Sequence, residues 1–132
     1  MTQTPSIWLI DDDEAILNIV ARAFDKEQLS CQLKAFADTN ALLFEIQQTD
    51  TLPNVLLIDY LMPGMDGLHL IERLKADPQT RELKTVLFSR NLTLAMLRKA
   101  EELDTYQVAR KPDDFGSWRE LVKELCTAGF FS

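Results

Sequence analysis

Two hydrophobic periods alternate along the chain, and they predict strands and helices in turn. Three short, mostly apolar runs at residues 7–10, 55–58 and 85–88 are typical of strands that are covered on both faces. An alternating segment at residues 32–37 and a short run at residues 106–109 predict two further strands. The pattern therefore predicts five strands spread over the whole chain.

Between these strands, apolar residues recur at the three- and four-residue spacing of amphipathic helices. The pattern predicts five helices, with Asp38 and Thr39 available to cap the second and Pro78 limiting the third. The spacing of Ser117 and Glu120 predicts a capping box that opens the fifth. The apolar positions are Ile16, Ile19, Val20, Ala23 and Phe24; Leu42, Leu43 and Ile46; Leu68, Leu70, Ile71 and Leu74; Leu94, Leu97 and Ala100; and Leu121, Val122 and Leu125.

Strands that alternate with helices favour a parallel sheet, because each crossover connection must return over a face of the sheet. We therefore predict an α/β fold, a three-layer sandwich of five parallel strands and five helices. The 132 residues suit a single domain at residues 1–132, with its core at about residues 7–125. In such sheets, ligand sites form at the carboxyl ends of the strands.

Composition narrows the classes of partner. A formal net charge of −7 argues against direct nucleic-acid binding, which requires a basic face. The longest apolar runs are far shorter than the roughly 20 residues that span a bilayer, and the start of the chain lacks the pattern of a signal peptide. These observations predict a cytoplasmic protein without a membrane partner.

Cysteine and histidine offer little chemistry. Cys31 and Cys126 are far apart in sequence and fit no metal or redox spacing, which predicts two reduced thiols packed as small hydrophobic residues. His69 is the only histidine and is predicted to have a structural or solvent-facing role.

Polar side chains follow four of the predicted strands. Asp11 and Asp12 follow the first, Asp59 the third, Ser89 the fourth and Lys111 the fifth. Three converging carboxylates repel one another unless a cation joins them, and oxygen ligands alone suit Mg²⁺. A carboxylate beside magnesium and lysine can attack phosphorus, while a hydroxyl donates to a phosphoryl oxygen.

Each of these residues also has a simpler interpretation. The aspartates at 11–13 are able to cap the first helix, and Asp13 is a good candidate for that role. In the simpler interpretation, Asp59 is a turn residue, Ser89 is an ordinary strand end and Lys111 is a solvated loop residue. Their joint placement at strand ends favours one shared site.

At this point the sequence resembles the receiver domains of two-component response regulators, over about residues 7–125. Residues 55–67 resemble the phosphoacceptor strand and its following loop, residues 10–13 the acidic motif, and residues 111–112 the lysine–proline pair. The resemblance implies a flavodoxin-like strand order of 2-1-3-4-5. It implies a signalling switch rather than an enzyme, one that catalyses only its own phosphorylation and dephosphorylation.

The resemblance also implies roles for single residues. Asp59 is the expected phosphoacceptor. Asp12 and Asp59 are expected to bind Mg²⁺ directly and Asp11 largely through water, with the backbone carbonyl of Leu61 as a further ligand. Ser89 is expected to contact the phosphoryl group.

Lys111 is expected to contact the phosphoryl group as well, with a cis peptide bond to Pro112. The implied donor is a histidine kinase or a histidine phosphotransfer protein. The chain is expected to act as a stand-alone receiver, with output through a downstream protein effector or a phosphorelay, and a homodimer stays open.

Two departures from the family pattern concern the residues that would report phosphorylation. Arg90 stands where a small residue usually follows the hydroxyl residue, and it is expected either to crowd the phosphoryl group or to pair with it. Val108 stands where an aromatic residue usually reports the switch, and Tyr106 two residues earlier is expected to serve packing.

Two rival functions remain. One is a degenerate receiver that acts as a phosphorylation-independent interaction module, as Arg90 and Val108 suggest. The other is a phosphohydrolase similar to haloacid dehalogenases, which is disfavoured because Leu61 stands where those enzymes place a second aspartate.

Overall fold

The computed structural model describes residues 5–28 and 30–127. Within this part of the chain, five strands alternate with five helices. The strands are β1 (Ser6–Ile10), β2 (Gln32–Phe36), β3 (Val55–Asp59), β4 (Lys84–Ser89) and β5 (Gln107–Arg110). The helices are α1 (Glu14–Glu27), α2 (Thr39–Gln48), α3 (Gly67–Ala76), α4 (Leu94–Glu102) and α5 (Phe115–Thr127).

The five strands form one parallel sheet in the order β2-β1-β3-β4-β5, as predicted. In the register, Ile10 of β1 lies between Phe36 of β2 and Ile58 of β3, so the ends of these strands are level. Asp59 pairs with Phe88, which brings β4 into the same alignment. The carboxyl ends of the strands therefore meet along one edge of the sheet.

Alternate residues of each strand enter two separate hydrophobic cores. Ile7 and Leu9 pack in the core beneath α1 and α5, where Trp118 is also buried. Trp8 and Ile10 pack in the core beneath α2, α3 and α4. The sheet is thus covered on both faces, which explains the continuous apolar runs. Over the described residues, each helix is too short or too polar to cross a bilayer.

Two predicted caps are confirmed and one is wrong. The carboxylate of Asp13 accepts a hydrogen bond from the amide of Ala15, and Asp38 caps α2. In α5, however, Oδ1 of Asp114 accepts the amide of Ser117 at 2.7 Å, so Ser117 lies inside the helix. A carboxylate one residue before the helix reaches that amide directly, and the same bond lowers the pKa of Asp114.

The prediction of two free thiols is also wrong. The structure joins Cys31 and Cys126 in a disulfide, with their Cα atoms 5.9 Å apart. The packing of α1 against α5 is the physical reason, because it brings the residue before β2 next to the last turn of α5. Their separation in sequence therefore does not keep them apart in the fold.

Charged residues join α1 to α5 beside this disulfide. Oε2 of Glu27 accepts hydrogen bonds from two guanidinium nitrogens of Arg119, at 2.9 and 3.3 Å. The ammonium of Lys123 lies 3.6 Å from the other carboxylate oxygen. Arg119 is the main cause of a lowered pKa at Glu27. We call these residues, Glu27, Arg119, Lys123, Cys31 and Cys126, the α1–α5 seam.

The opposite situation holds at α4 and β5. Leu94 and Leu97, two of the apolar positions that predicted this helix, are 62% and 41% exposed, and α4 buries Met96 and Ala100. Tyr106 was predicted to begin β5, but the strand begins at Gln107. The side chain of Tyr106 is 46% exposed. We call the exposed side chains of Leu94, Leu97 and Tyr106, together with β5, the α4–β5 edge.

Candidate functional site

The strand ends bring together the polar residues that the sequence singled out. Asp11 and Asp12 directly follow β1, while Asp59 and Ser89 are the last residues of β3 and β4. Lys111 directly follows β5. Asp12 is exposed and the other four are buried, so the site is a set of buried polar groups with one acidic residue at its surface.

Lys111 is the positive centre of this group. Its ammonium lies 2.8 Å from Oδ2 of Asp11 and 3.3 Å from Oδ1 of Asp59. Its backbone amide donates to the carbonyl of Ser89 at 2.9 Å, which extends the β4–β5 ladder by one residue. The ladder therefore fixes the backbone from which the side chain reaches across to β1 and β3.

The carboxylates have the arrangement of a hard-cation site. Asp11, Asp12 and Asp59 each offer one oxygen, and these oxygens lie within 4.8 Å of one another. Oδ1 of Asp11 accepts the amide of Asp13 at 2.9 Å. Oδ2 is buried, and the ammonium of Lys111 at 2.8 Å is its partner. The three converging carboxylates form an all-oxygen ligand set, which fits Mg²⁺ or a similar divalent cation.

Burial changes the acidity of Asp59. Removal from water, followed by the adjacent carboxylate of Asp11, raises the pKa of Asp59 from its ordinary value to about 6, against the opposing effect of Lys111. The carboxylate is therefore mostly ionised at neutral pH. The charge of a bound cation would favour that ionised form further.

A cavity of about 520 Å³ opens beside Asp59, Ser89 and Lys111. Ser89 reaches it, but its hydroxyl is engaged in the following loop. Oγ donates to the carbonyl of Asn91 at 3.0 Å and accepts the Asn91 amide at 3.3 Å. The cavity is lined by Asp12, Asp13, Asp59, Tyr60, Leu61, Ser89, Arg90, Asn91, Thr93, Met96 and Lys111.

Sequence reasoning missed the residues that hold this loop. The backbone carbonyl of Asn91 accepts a hydrogen bond from the Ser89 hydroxyl. Thr93 caps α4, because its hydroxyl oxygen accepts a hydrogen bond from the amide of Met96 at 3.1 Å. The polar residues after β4, ending in a threonine before an apolar segment, were the available signal.

The β3–α3 loop is shaped by a close backbone approach. A Cβ atom at Gly67 would lie 2.6 Å from Cδ1 of Leu87 and 2.7 Å from the carbonyl oxygen of Asp59. The Gly67 amide donates to the carbonyl of Tyr60 at 2.8 Å, closing the loop. Leu61 lies in this loop and lines the cavity. The role of its backbone carbonyl as a cation ligand stays a prediction.

Three further predictions can be compared with the structure. The Lys111–Pro112 bond is trans, so the expectation of a cis bond is wrong, and trans is the ordinary preference of such a bond. Val108 is half-buried against the core beneath α4. His69 is exposed, with Nδ1 3.1 Å from Oδ2 of Asp66, away from the strand-end group.

The sequence matches the response regulator receiver domain family over residues 7–123. The chain belongs to this family. Receiver domains are signalling switches of two-component systems, and they bind Mg²⁺ at an acidic pocket such as the one formed by Asp11, Asp12 and Asp59. They are phosphorylated by histidine kinases or phosphotransfer proteins.

Two curated relatives show the range of proteins that carry this domain. The DNA-binding transcriptional regulator NtrC of Escherichia coli strain K12 is 38% identical over 117 residues, covering 89% of this chain and 24% of NtrC. The chain thus spans about a quarter of the length of that relative. Sporulation initiation phosphotransferase F of Bacillus subtilis strain 168 is 26% identical over 118 residues, covering 89% of this chain and 90% of the relative.

Solved structures show the same receiver fold. The phosphorylated cyanobacterial phytochrome response regulator RcpA superimposes with a TM-score of 0.81 at 16% identity, covering 94% of both chains. The Mn²⁺-bound form of response regulator Rcp1 gives a TM-score of 0.78 at 19% identity, covering 92% of this chain and 91% of the other. At these identities the likeness concerns the fold.

Proposed function

We propose that this receiver is a phosphoacceptor switch in which the carboxylate of Asp59 takes a phosphoryl group from a phosphohistidine donor. The observation that carries the proposal is the placement of Asp59. It is the one aspartate of the group that is buried, opens onto the cavity and lies beside Lys111. Asp11 is buried behind the ammonium, and Asp12 is exposed.

The transfer requires one bond to form and one to break. An oxygen of Asp59 attacks phosphorus while the P–N bond of the donor breaks. The electron pair returns to the imidazole, which leaves as a neutral ring because its other nitrogen carries a proton. Because its pKa of about 6 is still below neutral pH, Asp59 is mostly in the nucleophilic, ionised form there.

Each surrounding residue has a distinct part in this step. Asp11, Asp12 and Asp59, with the Leu61 carbonyl, are the residues that would hold Mg²⁺, which supplies neutralising charge when bound. Lys111 offers its ammonium to a phosphoryl oxygen in exchange for part of its pairing with the carboxylates.

Ser89 must change its hydrogen bond before it can contact the phosphoryl group. Its hydroxyl proton now points to the carbonyl of Asn91, and donation to a phosphoryl oxygen would release that carbonyl. The loop between β4 and α4 is therefore the segment in which phosphorylation first changes a contact. We infer that this change biases the α4–β5 edge that a partner reads.

The partners follow from the family and from one relative of similar length. A histidine kinase or a phosphotransfer protein supplies the phosphoryl group, and a downstream protein receives the signal in the cytoplasm. The Bacillus subtilis relative, named a phosphotransferase, supports a phosphorelay role. The charge of −7 keeps direct nucleic-acid binding outside the proposal.

The test uses a small phosphodonor such as acetyl phosphate with Mg²⁺. Intact-mass measurement should show addition of one phosphoryl group, and the modification should disappear in Asp59→Asn. Asp13→Asn is the matched control, because it removes a carboxylate from the same edge and keeps a capping side chain. Unmodified, folded parent protein would contradict the proposal, as would steady hydrolysis of a general phosphoester.

A further inference from the structure

Arg90 places a second cation at the acceptor cavity. It directly follows Ser89 and lines the same cavity of about 520 Å³ as Asp59 and Lys111. The residue is exposed, so an anion entering from solvent can reach its side chain. Among residues 5–28 and 30–127, none of the ion pairs involves Arg90.

The charge balance of the site leaves room for this cation. Lys111 already shares its ammonium between Asp11 and Asp59, while Asp12 adds a third carboxylate. An arriving phosphoryl group adds further negative charge to an edge that is already acidic. A guanidinium presents several N–H donors in a planar fork, which suits phosphoryl oxygens.

Before an anion binds, hydrogen bonds close the loop that carries this side chain. Ser89 and Asn91, on either side of Arg90, are linked through the Ser89 hydroxyl. Because no carboxylate within the described part of the chain pairs with the guanidinium, contact with an anion in the cavity breaks no ion pair seen there. Lys111, in contrast, must weaken one of two pairs to make such a contact.

We propose that Arg90 is an anion-binding residue at the mouth of the cavity, where it contacts the phosphoryl group and strengthens binding of small phosphoryl anions. This inference rests on the proposed function of Asp59 as the acceptor. It resolves the two effects expected of Arg90, crowding or pairing, in favour of pairing.

Beryllofluoride binding tests the inference without covalent chemistry. Titration with beryllium and fluoride in the presence of Mg²⁺, followed by fluorine NMR, gives a dissociation constant for each variant. Arg90→Ala should weaken binding about fivefold, as expected for one partly solvated ion pair. Arg90→Lys should fall between the two, and about 0.5 M salt should reduce the difference by screening.

Arg98→Ala is the matched control. Arg98 is exposed on α4 and does not line the cavity. Its substitution by alanine removes the same charge as Arg90→Ala. Its affinity should stay within about twofold of the parent protein, and thermal unfolding should show that all variants are folded. Equal loss in Arg98→Ala and Arg90→Ala would overturn the inference, because net charge alone would then explain it.

Two other outcomes separate the inference from the proposed function. If the parent protein binds beryllofluoride and Arg90→Ala binds it within about twofold, Arg90 is not a contact, while Asp59 stands as acceptor. If the folded parent protein binds no beryllofluoride, the proposed function fails, and the role of Arg90 fails with it.

Discussion

The α1–α5 seam and the α4–β5 edge are held by very different contacts. At the seam, a disulfide and a carboxylate with two cationic partners join helices that also bury Trp118. At the edge, α4 buries only Met96 and Ala100, and none of the four residues of β5 is fully buried.

This difference indicates where the molecule can change shape at low cost. Regions with few buried apolar contacts open locally with smaller free energies than well-packed regions. Ser89 ends β4 just before α4, and Lys111 follows β5, so two residues of the site adjoin the edge. We expect a charge change at Asp59 to alter the edge while the seam stays fixed.

Breaking the disulfide should produce the largest effect and test the seam directly. The Cys31–Cys126 bond closes a loop with a sequence separation of 95, for which the chain-entropy model gives about 4.7 kcal/mol of stabilisation. Urea unfolding with and without a reductant measures this loss. The double variant Cys31→Ser, Cys126→Ser should have the same free energy of unfolding as the reduced protein, and the reductant should not change it. Identical unfolding of oxidised and reduced parent protein would contradict a covalently closed seam.

Removing the charge of Asp59 should give the next largest change in the free energy of unfolding, and this change should stabilise the fold. A pKa raised from 3.8 to about 6 means that ionised Asp59 destabilises the fold above pH 6, and this penalty vanishes as the pH falls to about 4. Asp59→Asn should therefore raise the free energy of unfolding by about 2–3 kcal/mol at pH 7.5 without divalent cations.

The pH series supplies the control for this variant. The gap between Asp59→Asn and the parent protein should shrink through the window from pH 6 to pH 4, and Mg²⁺ should shrink it at pH 7.5 by stabilising the parent protein alone. A gap that is independent of pH would show that burial of Asp59 is not its cause.

Closely packed backbone at the start of α3 provides a smaller test between these regions. Gly67→Ala should cost about 2 kcal/mol, because the new methyl group would overlap Leu87 and the backbone oxygen of Asp59. Gly116→Ala is the matched control in α5, where the nearest atom is 3.4 Å away and alanine favours the helix. Equal stability of the two variants in thermal unfolding would contradict this account.

The smallest effect is expected at the edge. Leu97→Ala should change the free energy of unfolding by no more than about 0.5 kcal/mol, because the side chain is largely exposed. Met96→Ala on the same helix should cost about 2 kcal/mol or more, since Met96 is buried. Equal losses from the two substitutions in urea unfolding would contradict the exposed position of Leu97 at the edge.

The sequence predicted those features that depend on local pattern. Residues 55–58 read as a buried strand because both faces of the sheet are covered, and the strand-end rule then located Asp59 and Lys111. Chain adjacency was also enough to find the caps at Asp13 and Asp38.

Features that depend on packing between distant elements could not be predicted. The Cys31–Cys126 bond depends on how α5 lies against α1, which no local pattern encodes. The apolar stripe of α4 did not show that Leu97 faces solvent, because burial depends on how the helix packs on the sheet and not on its own sequence alone. The partner of the Ser89 hydroxyl depended on the bend of its loop.

The disulfide also closes the residues between Cys31 and Cys126 into a covalent ring and leaves the residues before Cys31 outside it. The ring runs from Cys31 to Cys126 and contains β2, β3, β4 and β5. β1 lies outside the ring in the chain, yet it is inserted between β2 and β3 near the middle of the sheet. The strand that delivers Asp11 and Asp12 is thus attached to the ring through one backbone link and held in place by noncovalent contacts. A cation held by Asp11, Asp12 and Asp59 would tie this outer segment to the ring, because Asp59 lies within the ring.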